Sequence, residues 1–490
     1  MSSTSALPLF LAFALATAFP GTALAAIVPT IVDLDVGESQ RVTLHDGSTS
    51  QVKVLKIDAH RESVTQTVSR IVATVEVNGQ PADLVCGNYQ LPVAVGGVQV
   101  DFPAARVLMD DSNVDWWVLL KAARVRVWPG NSPWIEPGTF GYPVSQRWFA
   151  SATSFSNEPV SRRPKPGAKV YYHAGMDLGG SEGLIEVVAA ADAVILSLGT
   201  ATVPGEKHPV VQPRYDVIYA LDSRDWAYRY SHLMTFDPAL KVGGRVKKGQ
   251  RLGYIGKEGS SGGWTHLHFH VECLQPSGKW GVQDSYAFLW QAYREQHDPA
   301  VIAVARPHQK VLVGESLTLD ASRSWAKKGV RTYEWSLMDG TQAAGPTVRR
   351  TYDRPGIYSE IVKVSDPAGN FDYDFASVRV YTGTAADGTA AVVGVHATYA
   401  PTFGLKPGDP VVFRSRARET GTGLDSFDFG DGTPKVPVPS NIDSAQHAAN
   451  GYGMVIHHYQ KAGHYLVRVE RRDEPTGALA VQHLHVIVEP

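Results

Sequence analysis

The stretch Trp264-Thr265-His266-Leu267-His268-Phe269-His270-Val271-Glu272 decides how this chain is read. Its histidines recur at every second position, with Leu267, Phe269 and Val271 between and after them. Successive side chains of a β-strand point to opposite faces. One face is therefore apolar and suited to a core, while the other presents His266, His268 and His270 to a groove. Imidazole is the commonest protein metal ligand and a proton carrier near neutral pH. Packing alone gives no reason for three of them on one strand face.

A second cluster lies upstream, in Tyr171-Tyr172-His173-Ala174-Gly175-Met176-Asp177-Leu178-Gly179-Gly180. His173 and Asp177 stand four apart in a glycine-containing segment, which reads as a loop or short irregular strand. Zinc accepts tetrahedral nitrogen and oxygen ligands, and a catalytic site keeps three protein ligands and one open position. His173, Asp177 and His268 make such a set for one Zn2+ ion. There is no His-Glu-x-x-His helix to supply a glutamate base. The available bases are histidines: His266 on the same strand face, and His232 in Tyr230-Ser231-His232-Leu233.

In this order the pieces resemble the lysostaphin/LytM-type zinc endopeptidases of bacterial cell walls. The resemblance spans roughly residues 165–275. It rests on His173-x-x-x-Asp177, Tyr230-Ser231-His232-Leu233, Val242-Gly243 with Val246-Lys247-Lys248-Gly249-Gln250, the Gly/Ser-rich loop from Gly253 to Gly263, and His266-Leu267-His268-Phe269. It implies an antiparallel sheet with a groove roofed by loops. His173, Asp177 and His268 would be the metal ligands, and His266 the general base or transition-state stabiliser. His232 would share that work. The implied activity is hydrolysis of peptide bonds in peptidoglycan cross-links or stems. The family usually has Glu where this chain has His270, so a register using His268 and His270 as ligand and base stays open. Two other functions also stay open: a protease acting on Gly-rich extracellular protein, and a non-catalytic LytM-like factor that binds or regulates in wall remodelling.

The remainder of the chain reads as mainly β and multidomain. Its 490 residues exceed what one core organises. Many Gly and Pro residues with abundant aromatics suggest short strands and tight turns. A net charge of -2 gives no reason to expect a nucleic-acid partner. Residues 1–25 read as a signal peptide: an apolar run from Leu9 to Phe19, then Pro20-Gly21 and Ala23-Leu24-Ala25 ahead of the cut. Residues 1–8 lack the usual Lys or Arg. No later run reaches the ~18 apolar residues of a membrane span, so the mature protein is expected to be exported: periplasmic, wall-associated or secreted. Cys86 and Cys273 could bridge or stay free.

Residues 26–130 read as a β-rich domain of unknown role, with alternation in Val52–Ile57 and Val98–Phe102 and a hairpin turn at Asn78-Gly79. Residues 129–170, rich in Pro, Gly and Ser, read as a connector draped over the surface. This segment or residues 27–130 should partly cover the groove. The peptidase-like domain with its connector occupies 131–300 and ends in a helix over 283–297, whose stripe of Tyr286, Leu289, Trp290 and Tyr293 belongs to a core. Two β-sandwiches follow, 301–383 and 390–490. In them Tyr352-x-x-x-Gly356-x-Tyr358 recurs as Tyr459-x-x-x-Gly463-x-Tyr465, each after an Asp-Gly turn, Asp339-Gly340 and Asp431-Gly432. Phe427-Asp428-Phe429-Gly430-Asp431-Gly432-Thr433 resembles the signature of the polycystic-kidney-disease (PKD) type domain. That resemblance implies a polysaccharide or protein partner, or a spacer.

Overall fold

The computed structural model describes residues 27–160, 169–387, 392–440 and 451–490, so the expected signal peptide lies outside the described residues. Nearly every regular element is a strand. The alternating N-terminal segments fold into two four-stranded sheets. One orders Thr30–Leu34, Ala123–Pro129, Val98–Ala105 and Val93–Val95; the other runs from Ser39–Thr43 to Gln80–Val85. In the segment 116–120, which forms no strand, Trp117 and Leu119 are buried and Leu120 is exposed.

The central sheet carries the histidine strand, His266–Leu274, between Ala227–Ser231 and Met176–Gly179, all antiparallel. The alternation works as the sequence suggests: Leu267, Phe269 and Val271 are fully buried in the main core. That core also takes the helix Tyr286–His297, whose Tyr286, Leu289, Trp290 and Tyr293 all point inward. Asp284 Oδ1 accepts the Tyr286 amide at 2.9 Å, and Asp298, in the left-handed conformation, ends the helix.

The connector departs from expectation. It is not draped over the surface: Ile135, Phe140, Tyr142, Val144, Phe149 and Phe155 are buried in the same core. Its pair Thr153–Ser154 extends the central sheet beside Met176–Gly179. Prolines and glycines mark turns, but the large apolar residues between them have more to gain from burial than the turns lose.

The two sandwiches are joined. Strand Gly356–Ser365 of the first pairs in parallel with Leu479–Val488 of the second, at Gly356↔Leu479 and Ile357↔Ala480, which makes one sheet of nine strands. Cys86 and Cys273 are both buried and unbridged. Asn157 Nδ2 donates to the Cys86 sulfur, and Gln275 Nε2 to that of Cys273. No helix among the described residues is long and apolar enough to cross a membrane.

Candidate metal centre

Sheet register assembles the site. Asp177 stands directly opposite His268 across the strand pair, and Ser231 flanks His268 on the other side. Residues so paired have side chains within about 5.5 Å. His173 precedes the strand and is returned to it by a bend at Gly175, where φ is +79°. A Cβ at Gly175 would lie 2.3 Å from the Cβ of His270 and 2.5 Å from the Phe269 carbonyl oxygen, so only glycine lets the two segments meet here.

Three ligand atoms converge as a result. His173 Nε2 is 3.0 Å from Asp177 Oδ1 and 3.0 Å from His268 Nδ1, and the last two are 2.8 Å apart. All three residues are buried. Each imidazole is oriented from behind. His173 Nδ1–H donates to the Phe155 carbonyl. His268 Nε2–H donates to His270 Nδ1 at 3.1 Å, and His270 Nε2–H donates to Glu272 Oε1 at 2.9 Å. These bonds fix the tautomers and leave one lone pair of each ring facing the centre. The alternative register with His270 as base is therefore not what the structure places there. His270 backs His268, and the carboxylate ending that chain is Glu272.

His266 Nδ1–H donates to the Trp264 carbonyl at 3.0 Å, so its bare Nε2 faces the centre, 3.5 Å from Asp177 Oδ1. Burial lowers the pKa of this ring to about 3 despite the carboxylate beside it. Burial likewise holds His268 well below the usual histidine range. For Asp177, burial favours the neutral form, but the charge of His173 and the neighbouring His266 outweigh it and keep the carboxylate ionised. His173 is the converse: burial opposes its protonation, and Asp177 raises its pKa. An anionic carboxylate with imidazole lone pairs on one point suits a divalent cation.

His232 completes the ring of histidines, its ring centroid 4.7 Å from that of His266. It holds φ = +68°, a conformation uncommon for a residue with a side chain. Asp216 accounts for this: its Oδ2 accepts the His232 amide at 3.0 Å, and its main-chain oxygen accepts the amide of Leu233. Arg214 pairs with Asp216, and the His232 Nδ1–H donates to the Glu258 carbonyl at 2.6 Å. Neither Arg214 nor Asp216 stood out in the sequence. The only signal was an Arg-x-Asp shortly before an apolar strand, which is too common to single out.

The second sandwich reaches this centre. Trp264 stacks on His266 at 3.9 Å and meets His396 edge-on. The Thr265 amide donates to the Tyr452 hydroxyl, and Arg416 Nη1 donates to the Gly263 carbonyl. The centre opens into a cavity of about 1420 Å3, bordered by the second N-terminal sheet and the loops beside it, the connector and both sandwiches. Of the two segments expected as cover, residues 27–130 or the connector, both border the cavity, and so do the sandwiches.

Comparison with known families agrees with this geometry. The profile described as Peptidase family M23 matches residues 171–278, and PKD domain profiles match 297–380 and 395–486. The chain carries an M23 peptidase domain followed by two PKD domains. PKD domains are typical of extracellular proteins and suggest protein or carbohydrate binding. No curated protein matches the chain. Among solved structures, the fibronectin(III)-like modules of Clostridium thermocellum CbhA are 14% identical, covering 39% of this chain and 94% of theirs at a TM-score of 0.15. Latent PorU from Porphyromonas gingivalis is 10% identical over 61% of this chain and 34% of its own, at 0.18. A Salmonella alpha-2-macroglobulin mutant is 10% identical over 90% of this chain and 33% of its own, at 0.21.

Proposed function

We propose that this protein is an exported zinc metalloendopeptidase that hydrolyses peptide bonds in peptidoglycan cross-links or stem peptides. The observation that supports it most is the convergence of His173 Nε2, Asp177 Oδ1 and His268 Nδ1 within an M23 domain, with His266 and His232 beside them. The three ligands would hold one zinc ion. When bound, zinc supplies Lewis acidity, polarising a carbonyl and lowering the pKa of water.

The chain's own residues do the rest. His266 Nε2, with the other ring nitrogen committed to Trp264, would accept a proton from the attacking water and return it to the leaving amine. His232, held by Asp216 and Glu258, presents Nε2 to the same space and would steady the water or the developing oxyanion. The His268–His270–Glu272 chain keeps the Nδ1 lone pair of His268 aimed at the centre.

The test is zinc content together with sacculus digestion. Purified mature protein should hold one zinc per chain and solubilise cell walls, and a chelator should stop it. Asp177→Ala should lose both metal and activity. A wild type that purifies without zinc and leaves sacculi intact would point instead to a non-catalytic LytM-like factor. Cleavage of Gly-rich protein but not sacculi would move the substrate to extracellular protein.

A further inference from the structure

Part of the wall of the cavity that holds the candidate metal centre belongs to the first PKD domain. Its strand Gln309–Leu312 runs parallel to Phe371–Tyr381, and Lys310 stands in register with Arg379. Both side chains line the cavity that also holds His173, Asp177 and His268. Like charges directly opposite on neighbouring strands repel. Burial and Arg379 together depress the Lys310 pKa. Among the described residues neither cation has a hydrogen bond or ion pair to relieve this. Glu62 and Glu158 also border the cavity but do not reach ion-pair distance of either. The Glu62 carboxylate is already bonded to the amides of Val64 and Thr65. His308, two residues before Lys310, also borders the cavity and has a buried Nδ1 without a hydrogen-bond partner.

Two unmatched cations and an orphan imidazole nitrogen on one patch are costly unless an anion joins them. We propose that His308, Lys310 and Arg379 bind a carboxylate of an acidic peptide whose scissile bond lies at the metal centre. The first PKD domain would then supply half of the substrate cleft rather than act as a spacer. Ordinary ligand pockets measure roughly 300–1,000 Å3. A cavity of about 1420 Å3 has room for several extended residues between the two walls. The inference rests on the peptidase reading and names its substrate class.

The test uses the full-length protein and two synthetic stem-type peptides, one with free carboxylates and one fully amidated. Wild type should favour the acidic peptide in kcat/KM by about ten- to a hundredfold, the range of a charged hydrogen-bonded contact, and the preference should lie in KM. Lys310→Gln/Arg379→Gln should abolish the preference and leave the amidated peptide within twofold. Its melting temperature should hold or rise, since a repulsive pair is gone. Arg379→Gln alone serves if the double variant folds poorly. A double variant that keeps the preference, or that loses both substrates equally, overturns the proposal. If wild type cleaves neither peptide, the peptidase reading has failed separately. Fluorescence-anisotropy binding of the same labelled pair then decides: tighter binding of the acidic peptide that vanishes in the double variant supports the cationic wall, and equal binding overturns it.

Discussion

The two PKD domains share a repeat and use it identically in one place and differently in another. In the first, Tyr352 packs on Tyr358 with ring centroids 4.3 Å apart, and Tyr358 Oη–H donates to the Arg354 carbonyl. In the second, Tyr459 packs on Tyr465 at 4.1 Å, and Tyr465 Oη–H donates to the Lys461 carbonyl. The corner is local, so the local pattern carries it. Eight residues after the first tyrosine the copies diverge. Glu360 is fully buried, accepts from the Met338 amide and the Tyr352 hydroxyl, and lies 3.5 Å from Arg350. Its counterpart is the apolar Val467, and the Tyr459 hydroxyl turns to the Phe429 carbonyl instead. The Asp-Gly turn follows suit: Asp339 pairs with Arg350, while Asp431 pairs with His457, whose ring lies flat on Phe429. A repeat constrains what neighbouring residues must do together and leaves free what each copy meets from outside.

The largest effects should come from the core residues that occupy one position in both copies. Trp335→Ala and Phe427→Ala each remove a fully buried ring. Each should cost about 3–5 kcal/mol, read as faster hydrogen exchange confined mainly to its own sandwich. Loss spreading equally through both would mean that the shared nine-stranded sheet makes them one cooperative unit.

Glu360→Val imposes the second copy's chemistry on the first. It strands the Met338 amide and the Tyr352 hydroxyl, leaves Arg350 with Asp339 alone, and should destabilise the first sandwich by about 3 kcal/mol. A neutral outcome in denaturant unfolding would show the buried carboxylate to be replaceable and the divergence incidental.

Tyr452→Phe separates bracing of the metal centre from plain stability. It removes the hydroxyl that bonds the Thr265 amide and His396. The expected cost is about 1 kcal/mol, with kcat reduced roughly tenfold as for other outer-shell changes. Tyr358→Phe should cost similar stability and leave kcat unchanged. Equal kcat for both would remove the second domain from the catalytic machinery.

The smallest effect is in pH. Burial raises the carboxyl pKa of Glu360 in the first copy and of Asp425 in the second. A carboxyl that holds its proton better when folded gives stability that is complete below its unfolded pKa and is lost as pH rises through the folded value. Glu360→Gln should therefore flatten the alkaline-side loss in the first sandwich alone, with the second unchanged, as read by exchange at several pH values.

Much of the candidate metal centre was legible because its determinants are periodic or adjacent. Alternation put the histidines on one face, and His173, Gly175 and Asp177 lie within one short segment. What lay behind them was less legible. The placing of His270 depended on Glu272 accepting its hydrogen bond, and that of His232 on Asp216, from the turn before another strand. The connector was misread because its turn residues drew attention from the aromatic residues between them.

The sequence by itself determined the strands, the tyrosine corners and the donor types, since these follow from backbone period and side-chain chemistry over a few residues. Only the tertiary structure decided which nitrogen of each imidazole faces the centre. It also decided that Tyr452 braces the histidine strand and that Lys310 and Arg379 line the cavity it opens into. Those outcomes depend on strand register and domain contact between segments far apart in the chain, where no local pattern reaches.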